Sequence, residues 1–455
     1  MINDLIAAFY KELIARIKKD KINSLKVLDG LKRELALKHK LKETPTNIQI
    51  LLHTSVKDWV KLKSLLLTKP VRSISGVAPV AIMTKPMPCP HALKGIGPCS
   101  MCPGGVGSAF GDVPQSYTGR EPATMRAIRN LYDAYLQVFN RLEQYLILGH
   151  NCEKVELIIM GGTFPSFPLD YQEDFITSAF QAMNDFSELF YSKDNFDSKD
   201  NFDLLKFKEF FELPLEEIQD AERTKRIQDK LLKFRKRNNL KKEQKRNEKA
   251  KIKCVALCIE TRPDYGLLEH GNQMLKLGCT RVELGIQSVY DDALLRIRRG
   301  HTTTDTKRSI QILKDLGFKV AGHYMPGLPG INFEKDLEGM KELFNNPDYR
   351  PDMLKIYPCM VTKGTKLFEE YKENNFVPIS TEIAAKLIAT FKEYVPEYCR
   401  IMRIQRDIPS NQIVAGVNIT NLRQYLEEKY HPKCRCIRCR EPKNETINWN
   451  NVELK

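Results

Sequence analysis

No apolar run in this sequence approaches the ~18 residues that a bilayer-spanning helix needs, which excludes a helical membrane anchor. A secretory leader is missing as well, because Asp4, Lys11 and Glu12 interrupt the apolar stretch at the N-terminus. Nor are the twelve cysteines those of a small secreted disulfide frame. Several cluster at short spacing in a chain of 455 residues, a pattern that points to metal binding. The chain therefore reads as cytoplasmic. Its hydrophobic content of 42% rules out a wholly disordered protein, and its length predicts two or three domains.

An acidic balance is also lacking, since the formal net charge is +15. The excess is local. Residues 1–70 carry 15 Lys/Arg against 7 Asp/Glu, and residues 222–253 carry 15 against 4, while the rest is slightly acidic. Basic surfaces bind phosphate backbones by releasing counterions. For the N-terminal region, which precedes a catalytic domain, nucleic acid is the favoured reading over a solvated helical face. For residues 222–253 the two readings stand level.

The chain opens with apolar residues at helical spacing, Leu5, Ile6, Phe9, Tyr10, Leu13, Ile14 and Ile17, and more helix is expected to about Leu67, before Pro70. From Val77 onward short Val/Ile-rich segments alternate with amphipathic ones. Strands are expected at Val77–Met83, Val155–Met160, Cys254–Ile259, Arg281–Ile286, Lys319–Tyr324 and Met353–Tyr357, with helices between them at Ala123–Leu148, Leu267–Leu277, Thr303–Leu316 and Phe333–Phe344. Strands without polar alternation, separated by crossover helices, predict parallel βα units buried on both faces. Six such units make an incomplete (β/α)6 barrel with its chemistry on loops at the C-terminal strand ends. Residues 192–203 break the rhythm as a tandem hexapeptide, Ser-Lys-Asp-Asn-Phe-Asp twice, inside a charged stretch at about 185–253. It reads as an insertion, partly disordered, whose acidic and basic halves neutralise each other in a helical hairpin, with no catalytic role.

The loop that follows the first strand lacks a fourth cysteine. Cys89, Cys99 and Cys102 stand in Cys89-Pro-His-Ala-Leu-Lys-Gly-Ile-Gly-Pro-Cys99-Ser-Met-Cys102-Pro-Gly-Gly. Electron-transfer clusters are closed by four cysteines. Three thiolates leave one iron of a 4Fe–4S cluster open for chemistry, and the usual guest there is S-adenosylmethionine. A zinc knuckle is the rival, but a nine-residue first gap with no fourth ligand nearby suits structural zinc poorly.

Other strand ends carry polar groups. Met160-Gly161-Gly162-Thr163-Phe164 offers bare backbone to a ligand's amino and carboxylate groups, or is simply a tight turn. Glu260-Thr261-Arg262-Pro263-Asp264 could hold a zwitterionic methionyl moiety or ribose hydroxyls, or close the barrel rim as a salt bridge. Glu283-Leu284-Gly285-Ile286-Gln287-Ser288 offers contacts to ribose or adenine, and His323 is either a structural histidine or a substrate contact. Convergence at one barrel mouth is the stronger argument. Together the parts imply reductive cleavage of S-adenosylmethionine to methionine and a 5′-deoxyadenosyl radical that takes a hydrogen atom from a substrate. Near the C-terminus Cys434, Cys436 and Cys439 suit a structural zinc whose fourth ligand is His431, Cys359 or Cys399; free thiols or a second cluster are the alternatives.

Gly76-Val-Ala78, Cys89-Pro-His, Cys102-Pro-Gly-Gly, Gln115-Ser-Tyr-Thr-Gly119, Met125-Arg-Ala-Ile128, Met160-Gly-Gly-Thr-Phe164, Glu260-Thr-Arg-Pro-Asp-Tyr265, Arg299-Gly-His-Thr302, Gln405-Arg-Asp-Ile-Pro409 and Cys434-Arg-Cys-Ile-Arg-Cys439 together resemble the catalytic subunit of Elongator, in its archaeal or bacterial form. That resemblance covers most of the chain from about residue 40. It implies a radical S-adenosylmethionine domain that acts on tRNA. Hydrogen is taken from the acetyl methyl group of acetyl-CoA, the carbon radical adds to C5 of the wobble uridine at position 34, and thioester hydrolysis leaves 5-carboxymethyluridine. By motif match Cys89, Cys99 and Cys102 are the cluster ligands; Gly161, Gly162 and Thr163 belong to the S-adenosylmethionine site, with Glu260, Arg262 and Gln287 as further contacts. Lys154 matches a lysine associated with acetyl-CoA, and the N-terminal basic helices match a tRNA-binding region.

Two departures accompany the resemblance. The family continues past the zinc motif into an acetyltransferase-like domain, whereas this sequence stops about 15 residues later, and Gly266 stands where the family has cysteine. The expected organisation is thus a basic helical tRNA-binding region over 1–70, a radical S-adenosylmethionine α/β domain over 71–390, and a C-terminal segment with the zinc motif over 391–455. The expected activity is that of a tRNA-modifying enzyme. Its expected partners are tRNA, acetyl-CoA, a separate acetyltransferase-domain protein and a second copy of the chain. The alternatives are a catalytically incomplete tRNA-binding scaffold and a related radical enzyme with another substrate, such as a porphyrinogen oxidase.

Overall fold

A seven-stranded sheet organises the protein. Its strands, numbered among all strands of the chain, are β1 (Ala78–Met83), β4 (Lys154–Met160), β5 (Lys253–Thr261), β6 (Arg281–Gln287), β7 (Lys319–Tyr324), β8 (Met353–Ile356) and β10 (Arg400–Ile404), hydrogen-bonded in that order. Two short antiparallel pairs accompany it: β2 (Gly105–Ser108) with β3 (Gly111–Val113), and β9 (Val361–Thr362) with β11 (Ile413–Ala415). The computed structural model describes residues 2–69, 73–191, 202–214, 220–443 and 447–453. Contacts divide the chain into two compact units, one of Met1–Val80, Val138–Val155 and Phe180–Cys254, the other of Ala81–Gln137, Glu156–Ala179 and Val255–Lys455. Among the described residues no helix is long and apolar enough to cross a membrane.

The sheet is the incomplete parallel barrel that the alternating segments predict. β5 through β8 pair in parallel, as does β10 with β8. Every residue of β6 from Arg281 to Ile286 is buried, which is why this strand shows no polar alternation. Crossover helices start at side-chain caps: Thr302 and Asp305 form a capping box for Thr303–Asp315, and Asn332 caps Phe333–Asn345.

Three expectations change. The sheet has a seventh strand, β10, beyond the six anticipated; in Arg400-Ile-Met-Arg-Ile two arginines interrupt the apolar residues, so it carries no buried-strand signature. The single helix expected over Ala123–Leu148 is two, Pro122–Arg129 and Ala134–Ile147, because Leu131 and Tyr132 turn the backbone left-handed at φ +55° and +56°. The charged stretch at 185–253 is not loose where it is described. Phe186, Phe190, Phe207 and Phe211 form a buried aromatic cluster, with ring centroids 4.8 Å apart for Phe186–Phe190 and 4.9 Å for Phe207–Phe211. The hexapeptide repeat falls mostly on residues 192–201, outside the described residues.

In the first unit the N-terminal apolar stripe is core: Phe9, Leu13 and Ile17 pack inward with Leu28 and Leu35, while Lys11, Lys18 and Lys19 stay exposed. Charge neutralisation within the 185–253 stretch occurs as expected. Glu212 pairs with Arg226 and Lys230, each at 2.8 Å, and Arg246 lies 2.6 Å from both Asp185 and Glu188. Arg223 reaches the buried Glu143 at 2.7 Å. These cations are occupied by structural partners.

Candidate active site at the C-terminal strand ends

The cysteine loop, Gly161 to Thr163 and Arg262 follow the C-terminal ends of β1, β4 and β5, and Thr84 N–H donating to the Met160 carbonyl at 3.0 Å brings the ends of β1 and β4 side by side. The loop after β1 carries Cys89, Cys99 and Cys102, the first two buried and the third half-buried. Cys99 and Met101 pack in an apolar cluster with Met325, Leu328, Cys359 and Leu367, with Cys102 against it. Ser100 N–H donates to the Ile297 carbonyl and Leu367 N–H to the Ser100 carbonyl, at 3.0 and 2.8 Å, fixing the middle of the loop.

The surroundings of the sulfurs fit a cluster. Arg299 Nη1 and Arg262 Nη1 donate to Cys99 Sγ at 3.5 and 3.8 Å, and Gln115 Nε2 donates to Cys102 Sγ at 2.8 Å. Burial pushes the Cys99 thiol up, but the two guanidinium groups outweigh it and hold that thiol below its ordinary range. At Cys102 burial prevails, and together with Cys99 it pushes the thiol up. A Cβ on Gly104 would stand 1.9 Å from the Tyr117 carbonyl oxygen, so this turn closes only with glycine.

Gly161 and Gly162 follow β4 with φ +111° and +87°, and a Cβ on Gly161 would meet Thr84 Oγ1 at 2.5 Å. Thr163 is buried next to them. Gln287 ends β6 in the left-handed region at φ +69°, and among the described residues neither its buried Oε1 nor the buried Arg299 Nε has a hydrogen-bond partner. Buried polar atoms left unpaired at a barrel mouth suit a polar ligand. Arg262 differs from expectation. Its Nε bonds Asp264 Oδ1 at 3.2 Å, the salt bridge of the alternative reading, and one N–H each of Nη1 and Nη2 goes to Cys99 and the Arg299 carbonyl, so three of its five donors are taken by protein.

Inside the sheet lies an ionic network that the motifs did not reveal. Lys355 Nζ, on β8, sits 3.0 Å from Glu260 Oε1 and also contacts Glu283 Oε2. His323 Nε2 bonds Glu283 Oε2 at 2.9 Å, Arg281 Nη2 bonds Glu283 Oε1 at 3.0 Å, and Tyr117 Oη donates to Glu260 Oε2 at 3.3 Å. Burial would raise the Glu283 carboxyl, yet Lys355, His323 and Arg281 hold it well below the usual carboxylate range. Glu260, Glu283 and His323 bring their ligand atoms within 4.8 Å of one another, a spacing that suits a metal, but the Lys355 ammonium stands among them. A lysine inside the apolar run Met353-Leu354-Lys355-Ile356 was the available signal for this network.

Lys154 does not join these groups. It opens β4, seven positions before Gly161, and is exposed. Cys434, Cys436 and Cys439 do converge, their sulfurs within 4.8 Å of one another, and hydrogen bonds from Cys434 and Cys439 draw the Cys436 thiol far down. Among the described residues no fourth ligand joins that group, whether His431, Cys359 or Cys399, although Ile437 N–H donates to the Cys399 carbonyl at 3.0 Å.

Known proteins match this chain along most of its length. Residues 97–343 match the Radical SAM superfamily, residues 351–431 the Radical_SAM C-terminal domain, and residues 6–74 the ELP3 N-terminal domain. The tRNA uridine(34) acetyltransferase of Methanocaldococcus jannaschii is 43% identical over 441 residues, which are 96% of this chain and 72% of that protein. Its counterpart from Methanocaldococcus infernus is 46% identical over 401 residues, 87% of this chain and 65% of the relative. The solved structure of the archaeal Methanocaldococcus infernus Elp3 with an N-terminal deletion superposes with a TM-score of 0.58 at 38% identity, covering 80% of this chain and 66% of that one. The chain thus spans about two thirds of the length of these relatives.

Proposed function

The chain belongs to the radical SAM superfamily and, within it, to the family of Elongator complex protein 3, and from that premise we propose that it modifies the wobble uridine of tRNA, position 34, with acetyl-CoA as the carbon donor. The family implies a 4Fe–4S cluster and S-adenosylmethionine. When bound, these supply a primary carbon radical able to take a hydrogen atom from a methyl group. The observation that carries the proposal is the three-cysteine loop, with Cys99 under two guanidinium groups, at the C-terminal ends of a parallel sheet.

Cys89, Cys99 and Cys102 would hold three irons and leave the fourth to the S-adenosylmethionine amino and carboxylate groups. Gly161, Gly162 and Thr163 offer backbone to that moiety, and Gln287 Oε1 and Arg299 Nε are buried polar atoms free to meet it. Glu260, held by Lys355 and Tyr117, is an ordered acceptor for ribose hydroxyls. The apolar packing of Met101, Met325 and Leu328 around the loop excludes water from a radical. Lys154 is proposed as a contact to acetyl-CoA; its exposed ammonium suits a phosphate. The exposed lysines of residues 1–70 suit the tRNA backbone. Cys434, Cys436 and Cys439 would hold a structural zinc with a fourth ligand from outside the described residues or from water. An acetyltransferase-like domain or partner would serve the thioester chemistry.

The test is to supply the cluster-loaded protein with reductant, S-adenosylmethionine, acetyl-CoA and unmodified tRNA, with and without such a partner, and to digest the tRNA for nucleoside mass spectrometry. The proposal expects 5-carboxymethyluridine to form. Its absence in both arms, while S-adenosylmethionine is consumed, would leave the radical generator and sink the substrate.

A further inference from the structure

Asp264 touches partners of both ends of the cysteine loop. Its Oδ2 accepts from His91 Nε2 at 2.5 Å, and His91 lies two residues after Cys89. Its Oδ1 accepts from Arg262 Nε at 3.2 Å, and Arg262 Nη1 in turn reaches Cys99 Sγ. His91 and Arg262 are buried, and Asp264 is largely so. The segment after β6 closes the arrangement. A Cβ on Gly300 would stand 2.0 Å from His91 Nδ1, the Arg299 carbonyl accepts from Arg262 Nη2, and Arg299 Nη1 donates to Cys99. Outward from the Cys99 sulfur stand the Arg262 guanidinium, the Asp264 carboxylate and the His91 imidazole, each hydrogen-bonded to the next.

We infer that Arg262 and Asp264 are positioning residues for the cluster, Arg262 acting on the Cys99 sulfur and Asp264 orienting Arg262 and His91, and that Arg262 serves the cluster rather than S-adenosylmethionine. Ligands are oriented and tuned by the groups that hydrogen-bond them, and donors to cluster sulfurs set reduction potential. The sign follows from electrostatics. A cation and an N–H donor on a thiolate stabilise the reduced, more negative cluster, so Arg262 raises the potential. The Asp264 carboxylate one bond further out opposes it.

This inference rests on the cluster reading of the loop. The experiment reconstitutes wild type, Arg262→Met, Arg262→Lys and Asp264→Asn anaerobically, measures iron and sulfide per chain, and titrates each loaded protein with the reduced cluster followed by electron paramagnetic resonance. Arg262→Met is expected to lower the ratio of reduced to oxidised cluster about tenfold at a fixed poise, a downward shift of about 59 mV for one electron. Asp264→Asn is expected to shift the potential upward, and Arg262→Lys to lie between wild type and Arg262→Met. Shifts of Arg262→Met and Asp264→Asn in the same direction would mean that both merely loosen the loop, and would overturn the inference. Coincident potentials in all loaded proteins would overturn it as well. A wild-type chain that takes up no cluster would overturn the cluster reading and this inference together.

Discussion

Cys99 and Cys102 lie three residues apart in one loop and have opposite surroundings. Arg262 and Arg299 hold the first thiol down against its burial, whereas burial and Cys99 push the second up against its hydrogen bonds with Ser116 and Gln115. Cysteine spacing alone does not separate them, because both guanidinium groups come from loops some 160 to 200 residues away. Gly104 shows how tightly the loop is built. Gly104→Ala places a methyl group against the Tyr117 carbonyl, a backbone atom that cannot swing aside, at a cost of about 1–3 kcal/mol. The expected outcome is a lower thermal midpoint and less iron per chain than wild type after the same reconstitution. Lys355 is a second single-residue test. Lys355→Met leaves the half-buried Glu260 without its cation and the buried Glu283 with only Arg281 and His323, and is expected to destabilise the chain by about 3 kcal/mol in denaturant unfolding. A second substitution, Glu283→Gln, should recover part of that loss.

Among elements, the loop after β7 is fastened by the helix Phe333–Asn345. Asp336 accepts from Gly327 N–H at 2.6 Å and from Tyr324 Oη at 3.4 Å. Burial pushes its carboxyl up to about 7 from 3.8. Below about pH 4 the folded and unfolded chains both keep this proton. Between about pH 4 and pH 7 only the folded chain keeps it, so stability falls as pH rises through that window and levels above it. At about 1.4 kcal/mol per pH unit the loss reaches about 4 kcal/mol. Denaturant unfolding of wild type and Asp336→Asn across pH 4–8 should show the difference moving by that amount in favour of the variant; parallel curves would refute the assignment.

The same scale shows what the sequence made legible. The ends of the six apolar strands fall within two residues of expectation, since buried runs of Val, Ile and Leu have few other solutions in a parallel sheet. β10 was hidden because Arg400 and Arg403 interrupt its apolar residues. The break at Leu131–Tyr132 was hidden because neither residue is glycine. The cysteines, Gly161 and Gln287 could be placed at strand ends from motif position. The seat of Lys355 could not, because it arises from register across β5 to β8, nor could the bonds of Arg262 to Cys99 and the Arg299 carbonyl, which join loops far apart in the chain; only its bond to Asp264 is local.

For the whole molecule, charge separates into two kinds. The basic residues of 222–253 include Arg223, Arg226, Lys230 and Arg246, all engaged by carboxylates, whereas Lys11, Lys19, Lys26, Lys57 and Lys61 of the N-terminal helices are exposed. Replacing Lys11, Lys19, Lys57 and Lys61 with glutamine should weaken tRNA binding and flatten its dependence on salt. The log–log slope is expected to fall by about 0.7–0.9 for each phosphate that is no longer neutralised. An unchanged slope would move the tRNA surface elsewhere.

The most direct measurement of the central claim is made on the chain itself, loaded anaerobically with iron and sulfide, reduced, and supplied with S-adenosylmethionine. The account predicts a 4Fe–4S cluster signal and the formation of 5′-deoxyadenosine and methionine, with both lost when Cys89, Cys99 and Cys102 are replaced by alanine. A cluster-loaded wild-type protein that leaves S-adenosylmethionine uncleaved would contradict it.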